Sequence, residues 1–284
     1  MKFRLIWLAG LSLVFAACSG ANTPQEAVDK TESFAAAIDG AASAAVIVDV
    51  PFEKAFVSAL ADSPNLIEAE TEFIGAMTFT SEGDEAKTVT LAEDTQGQTY
   101  TGDRVLRWNV LLTPDVPLDL TLRVASGELA LDAAGLDLTG VALTVASGLI
   151  DANLPALDIA PPVTVDVAGG AVTLNLAEGS AADVTQVNVG AGQFNLNVGE
   201  NAALNVANVN IGAGEMVLDI PRGAAIRLEI KSVAAGSVNL AFSLTRVEGT
   251  DADEGIWQTE GFDSAENPIT VVIESIAAGR FELR

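Results

Sequence analysis

Along most of the chain, hydrophobic and polar residues alternate with period two, the pattern of strands with one buried face. Val172, Leu174 and Leu176 alternate with Thr173 and Asn175, and Phe194, Leu196 and Val198 repeat the alternation one period later. A phrase precedes each such strand: an aliphatic residue, two small residues, then a glycine. It starts at Val124, Val145, Val167, Val189, Ile211, Val233 and Ile276, with spacings of 21, 22, 22, 22, 22 and 43. The last spacing is about twice the others, so an insert stands in the place of one copy. Turns follow at Glu178-Gly179, Gly199-Glu-Asn201 and Pro221-Arg-Gly223, and then a second aliphatic stretch such as Leu204-x-Val206 or Ile226-x-Leu228-x-Ile230. Each period therefore holds two or three short strands. None of them can bury its apolar face alone, so successive periods must stack.

Stacking predicts an all-β fold, a parallel β-solenoid (β-helix) with coils of about 22 residues spaced about 4.8 Å apart. Glycines 127, 148, 170, 192, 214, 236 and 279 fall at one corner, where a recurring turn with φ > 0 is expected. Asp166, Asn188, Asn210 and Ser232 share one offset just before that corner and predict a stacked polar ladder. A β-sandwich with regular turn spacing is the alternative; an in-phase repeat over seven copies favours the solenoid. Solenoid ends need caps, because an open terminal coil exposes unpaired strand edges. Residues 46–113 lack the corner glycine and read as an irregular β-region with Trp108 that caps the first coil. At the other end, 242–272 holds the acidic insert 248–255 and Trp257, before the chain returns for a strand over 269–273 and the last repeat.

The N-terminus has a different grammar. Lys2 and Arg4 precede an apolar run from Leu5 to Ala17, whose thirteen residues make only about 20 Å of helix, short of a bilayer core of about 30 Å. This is the pattern of an export signal. The run ends in Phe15-Ala16-Ala17-Cys18, which resembles the lipobox of bacterial lipoproteins, with Phe15 where leucine is commoner. The resemblance implies cleavage before Cys18, diacylglycerol on its sulfur, and a protein exported and lipid-anchored to the cell membrane or outer membrane, facing away from the cytoplasm. Several acyl chains hold a protein stably where one does not. An incidental cysteine after an ordinary signal peptide is the alternative. The expected organisation is a signal peptide at 1–17, a lipidated Cys18 and tether at 18–45, an N-terminal β-region or cap at 46–123, and the repeat solenoid with its C-terminal cap at 124–284. The tether is polar and alanine-rich, with a short helix possible over 25–38.

Charge and composition narrow the chemistry. The chain of 284 residues has 14 Lys+Arg, 39 Asp+Glu and no His, for a net charge of −25. Loss of 1–17 removes two bases and no acid and leaves −27 on 267 residues. Nucleic acid is excluded as a partner, since phosphate binding needs clustered bases. A Ser-His-Asp or Cys-His mechanism needs the missing histidine. Zinc is poorly served with Cys18 as the only thiol. Apolar residues make up 49% of the chain but aromatic ones 5%, which suits thin layers of Val, Leu, Ile and Ala. With 39 acids, carboxylate pairs at glycosidase spacing arise by chance, and none repeats at the solenoid offset beside an Arg or Tyr. Asp251, Asp253 and Glu254 offer hard oxygens for Ca²⁺ in a glycine-bounded loop, but their spacing fits no EF-hand. Trp108, Trp257 and Tyr100 are the aromatic candidates for sugar stacking; both tryptophans read as cap packing.

The segment from Trp108 to Val124, with Thr113-Pro-Asp-Val-Pro-Leu-Asp-Leu at its centre, is followed by Leu131-Asp-Ala-Ala-Gly-Leu-Asp-Leu138 and the glycine corners. Together they resemble the toast-rack family of bacterial envelope proteins and the related putative-adhesin and cell-wall-active antibiotic-response families, over residues 46–284. The resemblance implies a β-solenoid, brings no catalytic, cofactor or metal residues, and leaves Cys18 as the one site residue. The expected function is a non-enzymatic, lipid-anchored envelope protein whose acidic solenoid serves as a scaffold or adhesin-like surface. Its partners are the membrane, through Cys18, and an envelope protein or polymer; no cofactor is expected. A carbohydrate-active or Ca²⁺-dependent polysaccharide-binding β-helix and an envelope-stress regulatory component are the alternatives.

Overall fold

The computed structural model describes residues 29–98, 104–156, 159–240, 244–249, 251 and 253–284. The strands are, in chain order, β1 (Lys30–Ala37), β2 (Ser43–Val50), β3 (Lys54–Ala59), β4 (Asn65–Phe73), β5 (Ala76–Glu82), β6 (Ala86–Asp94), β7 (Arg107–Leu112), β8 (Leu118–Val124), β9 (Glu128–Asp132), β10 (Leu138–Val145), β11 (Leu149–Leu154) and β12 (Pro162–Val167). They continue with β13 (Ala171–Leu176), β14 (Ala181–Val189), β15 (Gln193–Val198), β16 (Ala203–Ile211), β17 (Glu215–Asp219), β18 (Ile226–Ile230), β19 (Ser237–Leu240), β20 (Thr245–Glu248), β21 (Gly255–Gln258), β22 (Ile269–Ile276) and β23 (Arg280–Leu283). Each coil is two strands, one in each of two facing sheets, joined at the glycine corner. Coils β10–β11, β12–β13, β14–β15 and β16–β17 stack in parallel and in register, with Val172 against Phe194 and Leu174 against Leu196. The fold is a flattened, two-layer β-solenoid.

The period-two pattern is the cause. In β13, Val172, Leu174 and Leu176 point inward and are buried, while Ala171, Thr173 and Asn175 face out. The opposite sheet does the same with Val163, Val165 and Val167. Two facing layers leave room for aliphatic side chains across a gap of about 10 Å. This accounts for the shortage of aromatics: Trp108, Phe73, Phe194 and Phe281 are the largest fully buried side chains, and two of the four lie in the end region before β8.

Coil order departs from chain order at both ends. In one sheet β3 lies between β7 and β9, and in the other β2 lies between β6 and β8, so the coil β2–β3 is slotted between the coils β6–β7 and β8–β9. At the far end β22 lies between β16 and β18, and β23 between β17 and β19. The last coil of the chain is therefore next to last in the stack. Antiparallel strands finish the ends: β4 and β1 beyond β7, β5 beyond β6, and β21 and β20 beyond β18.

Two sequence expectations change. The stretch read as tether with a helix over 25–38 contains β1 and the first three residues of β2, because Phe34 and Ala36 alternate inward and β1 pairs with β4. The region 46–123, read as an irregular cap, holds two regular coils and the start of a third, whose corner at Pro51-Phe-Glu53 simply lacks glycine.

The corner glycines have a different purpose from the one expected. None of the seven is among the positive-φ residues. A Cβ on Gly192 would sit 2.2 Å from the Gly170 carbonyl oxygen, on Gly170 2.1 Å from that of Gly148, and on Gly214 2.3 Å from that of Gly192. The oxygen is held there because it accepts the N–H just beyond the next glycine, as Gly170 O does from Gln193 at 2.9 Å. Positive φ belongs to the opposite turn instead, at Gly135, Gly179, Asn201 and Gly223.

Candidate functional surface

The outward positions of stacked coils form ladders. Asn188 Nδ2 donates to Asp166 Oδ1 at 2.6 Å, and Ser275 Oγ donates to Asn210 Oδ1 at 2.9 Å. Of the ladder expected from Asp166, Asn188, Asn210 and Ser232, the first three are linked, Asn210 donating to Asn188 at 3.5 Å, and the next rung is Ser275 rather than Ser232, because β22 is slotted in there. On the other sheet Asn175 donates to Asn153 at 2.9 Å and Asn197 to Asn175 at 2.7 Å. Asn175 spends both amide hydrogens on β11, the second on Asp151 Oδ1 at 2.8 Å, while its oxygen accepts from Asn197.

Asn188→Asp should place two carboxylates on adjacent rungs and cost about 1 kcal/mol at neutral pH. That penalty should vanish in acid, because proximity raises the pair's folded pKa and the loss grows only as pH climbs past the ordinary carboxylate value. Urea midpoints at both pH values check it; equal losses at the two would contradict charge repulsion as the cause.

Charge is divided along the stack. Between Arg123 and Arg222 there is no Lys or Arg, while 11 acids occur. The middle coils are therefore purely anionic. Cations sit at the ends, and many tie end elements together: Lys54 to Glu128 at 2.8 Å, Lys231 to Glu274 at 2.7 Å, Arg104 to Asp29 and Glu72 at 3.0 Å each. Lys87, almost fully buried, donates to Ala37 O at 2.7 Å and Asp39 at 3.1 Å, clamping the turn between β1 and β2. Exposed apolar side chains are scattered; Ile159, 81% exposed, borders a groove with Leu136, Pro155 and Pro161.

The candidate residues are placed as follows. Cys18 and Tyr100 lie outside the described residues. Trp108 is buried in β7, its Nε1 donating to Glu72 O at 3.1 Å, so it packs the N-terminal end. Trp257 is 7% exposed in β21 with the Arg246 guanidinium 4.6 Å from its ring. Neither offers a ring face for sugar stacking. Asp251, Asp253 and Glu254 do not converge: Glu254 Oε1 turns back to accept the Val233 N–H at 2.8 Å, and among the described residues no group of three or more Asp, Glu, Cys or His is placed to hold a metal ion.

One carboxylate pair went unnoticed in the sequence. Glu53 is 1% exposed and its carboxyl meets that of the half-buried Glu93 at the N-terminal end. Burial, followed by the hydrogen bond and the charge of Glu93, raises Glu53 from 4.5 to about 8. The only signal was a charged residue in the corner between two strands, visible once Val50 is known to align with Val124.

No protein-family model matches the chain, and no curated protein matches it significantly in sequence. Among solved structures, a putative cell adhesion protein from Clostridium sporogenes is 14% identical, with 90% of this chain and 100% of that one covered at a TM-score of 0.46. A putative adhesin from Parabacteroides distasonis is 11% identical, covering 91% and 98% at 0.38. Another from Bacteroides fragilis is 7% identical, covering 92% and 99% at 0.36.

Proposed function

We propose that the protein is a lipid-anchored bacterial envelope protein whose solenoid is a non-enzymatic, adhesin-like contact surface. The observation that supports this most is the outward face itself. Coil after coil sets the same kinds of polar side chain at the same offsets on a stiff frame, as in the Asn153, Asn175, Asn197 ladder. Such a surface offers many equivalent weak contacts rather than one pocket, which suits an extended partner, a polymer or the flank of another envelope protein. The base-free middle keeps it off anionic lipid and off its own copies.

Anchoring at Cys18 gives the surface a direction. Ser19 to Val28 is ten residues, a reach of at most about 36 Å, and β1 begins two residues further on. The end with β1 and β5 then lies nearest the membrane, and the β20–β21 end projects outward across nine stacked coils, about 40 Å. Cys18→Ala should move the protein from the membrane to the soluble fraction of the envelope; unchanged fractionation would overturn the anchor. A glycan array and Ca²⁺ titration then identify the partner class. Saturable binding to one polymer, dependent on Ca²⁺, would replace the scaffold reading with polysaccharide recognition.

A further inference from the structure

Glu53 occupies the corner position that Gly127 fills in the next coil, since Glu128 N–H donates to Glu53 O at 2.9 Å and Val50 aligns with Val124. The corners of the repeat coils leave no room for a Cβ at this position, whereas here a full side chain is present. The Glu53 side chain meets Glu93 at the end of β6. Glu93 Oε1 accepts the N–H groups of Ile74 and Gly75 at 3.1 and 2.7 Å, in the turn joining β4 to β5. Glu53 Oε2 accepts the Phe52 N–H at 3.1 Å. The two oxygens left over, Glu53 Oε1 and Glu93 Oε2, are both shut off from water and have no donor.

Two carboxylate oxygens shut off from water cannot stay bare; a proton between them satisfies both at once. We infer that Glu53 and Glu93 hold one proton in common, and that this proton latches the turn at residues 74–75, and with it the antiparallel cap strands β4 and β5, onto the solenoid. The latch opens in alkaline solution. Surrounding charges are engaged elsewhere: Lys54 of β3 pairs with Glu128 of β9 at 2.8 Å, Lys30 of β1 donates to Gly75 O at 2.7 Å, Glu72 of β4 pairs with Arg104, and Asp94 of β6 accepts from Gln96 N–H at 2.9 Å. The charge acting on Glu53 is that of Glu93.

The sign follows from linkage. The native pair keeps a proton that the unfolded chain releases near 4.5, so the latch is tightest in acid, weakens as pH rises above 4.5, and is fully lost past about 8. Closing the cap against a crowded Gly75, whose Cβ would lie 2.0 Å from Asp94 O, leaves that turn little freedom to adjust.

The test is hydrogen–deuterium exchange of the full chain in mild detergent, following the peptide that carries Ile74 and Gly75, with intrinsic base catalysis divided out. Protection there should fall about a hundredfold from about pH 6 to about pH 9, the two pH units between 6 and the native value of about 8, while β13–β15 stay unchanged. Glu53→Gln supplies a permanent donor to Glu93 and should hold protection high at both ends of the range. Glu93→Gln does the same from the other side and stands in should the first variant fold poorly. Equal wild-type protection across the range, or Gln variants that track wild type, would overturn the shared proton. Restoration of alkaline protection by added Ca²⁺ would also overturn it, by showing a cation between the carboxylates.

Discussion

Gly192→Ala should lower the stability of the protein by about 3 kcal/mol, more than a single methyl group usually costs. The added carbon would lie 2.2 Å from the Gly170 carbonyl oxygen and 2.6 Å from Val167 Cγ1, and the first of these is backbone fixed by the coil-to-coil bond from Gln193. Relief requires two coils to separate at the corner, which breaks the register that both sheets share. Gly179→Ala is the matched control. Its φ of +70 costs an alanine about 1 kcal/mol, and nothing lies within 4 Å of the new methyl. Urea denaturation of both variants distinguishes the two purposes of glycine in this fold. Equal losses, or a larger one at Gly179, would show that backbone conformation rather than coil contact governs the corner.

A chain that stops before Pro268 should fail to form its C-terminal end at all. The coil β22–β23 buries Ile269, Val271, Ile273, Ile276, Phe281 and Leu283, each at most 1% exposed, between two other coils. At about 1.5 to 3 kcal/mol per side chain, their burial rivals the entire stability of a typical domain, about 5 to 15 kcal/mol. Its absence leaves an empty slot with the edges of β16, β17, β18 and β19 all unpaired inside the stack, a worse defect than a shortened end. The truncated chain should show rapid proteolysis beyond residue 203 and bind a hydrophobic dye. A peptide of residues 265–284 added in trans should restore resistance, because the slot is shaped for one coil. Native-like resistance without the peptide would mean that β18–β19 closes directly onto β16–β17 and that the slot is not required. Phe281→Ala, which removes one ring from that coil, should cost about 3 to 5 kcal/mol.

The two ends also show where a local pattern stops being informative. Val233-Ala-Ala-Gly and Ile276-Ala-Ala-Gly are the same phrase followed by the same alternation. By pattern alone either copy can pair with β16–β17, and chain order favours the earlier one. The structure chooses the later, because the earlier coil can then be finished by the antiparallel hairpin β20–β21, which its own following residues supply. The same exchange at the N-terminal end places β2–β3 inside β6–β7 and hides β1 in what composition describes as tether. Glu53 escaped notice for a related reason: its corner carries no glycine, so its partner Glu93, 40 residues away, could be found only from the pairing of β2 with β6.

What the sequence by itself determined is everything that repeats with a short period. Alternation assigned the buried face of each strand, the 22-residue repeat implied parallel stacking, and a shared offset identified the ladder through Asp166, Asn188 and Asn210. These follow from the two-residue pleat and from contact between equivalent positions, both written locally in the chain. Only the tertiary structure decided which coils are neighbours at the ends, why the corner requires glycine, and where the carboxyls of Glu53 and Glu93 meet. Each of those depends on distances between residues far apart in sequence, and equivalent strand edges present the same backbone donors and acceptors to any partner until the closing caps break the tie.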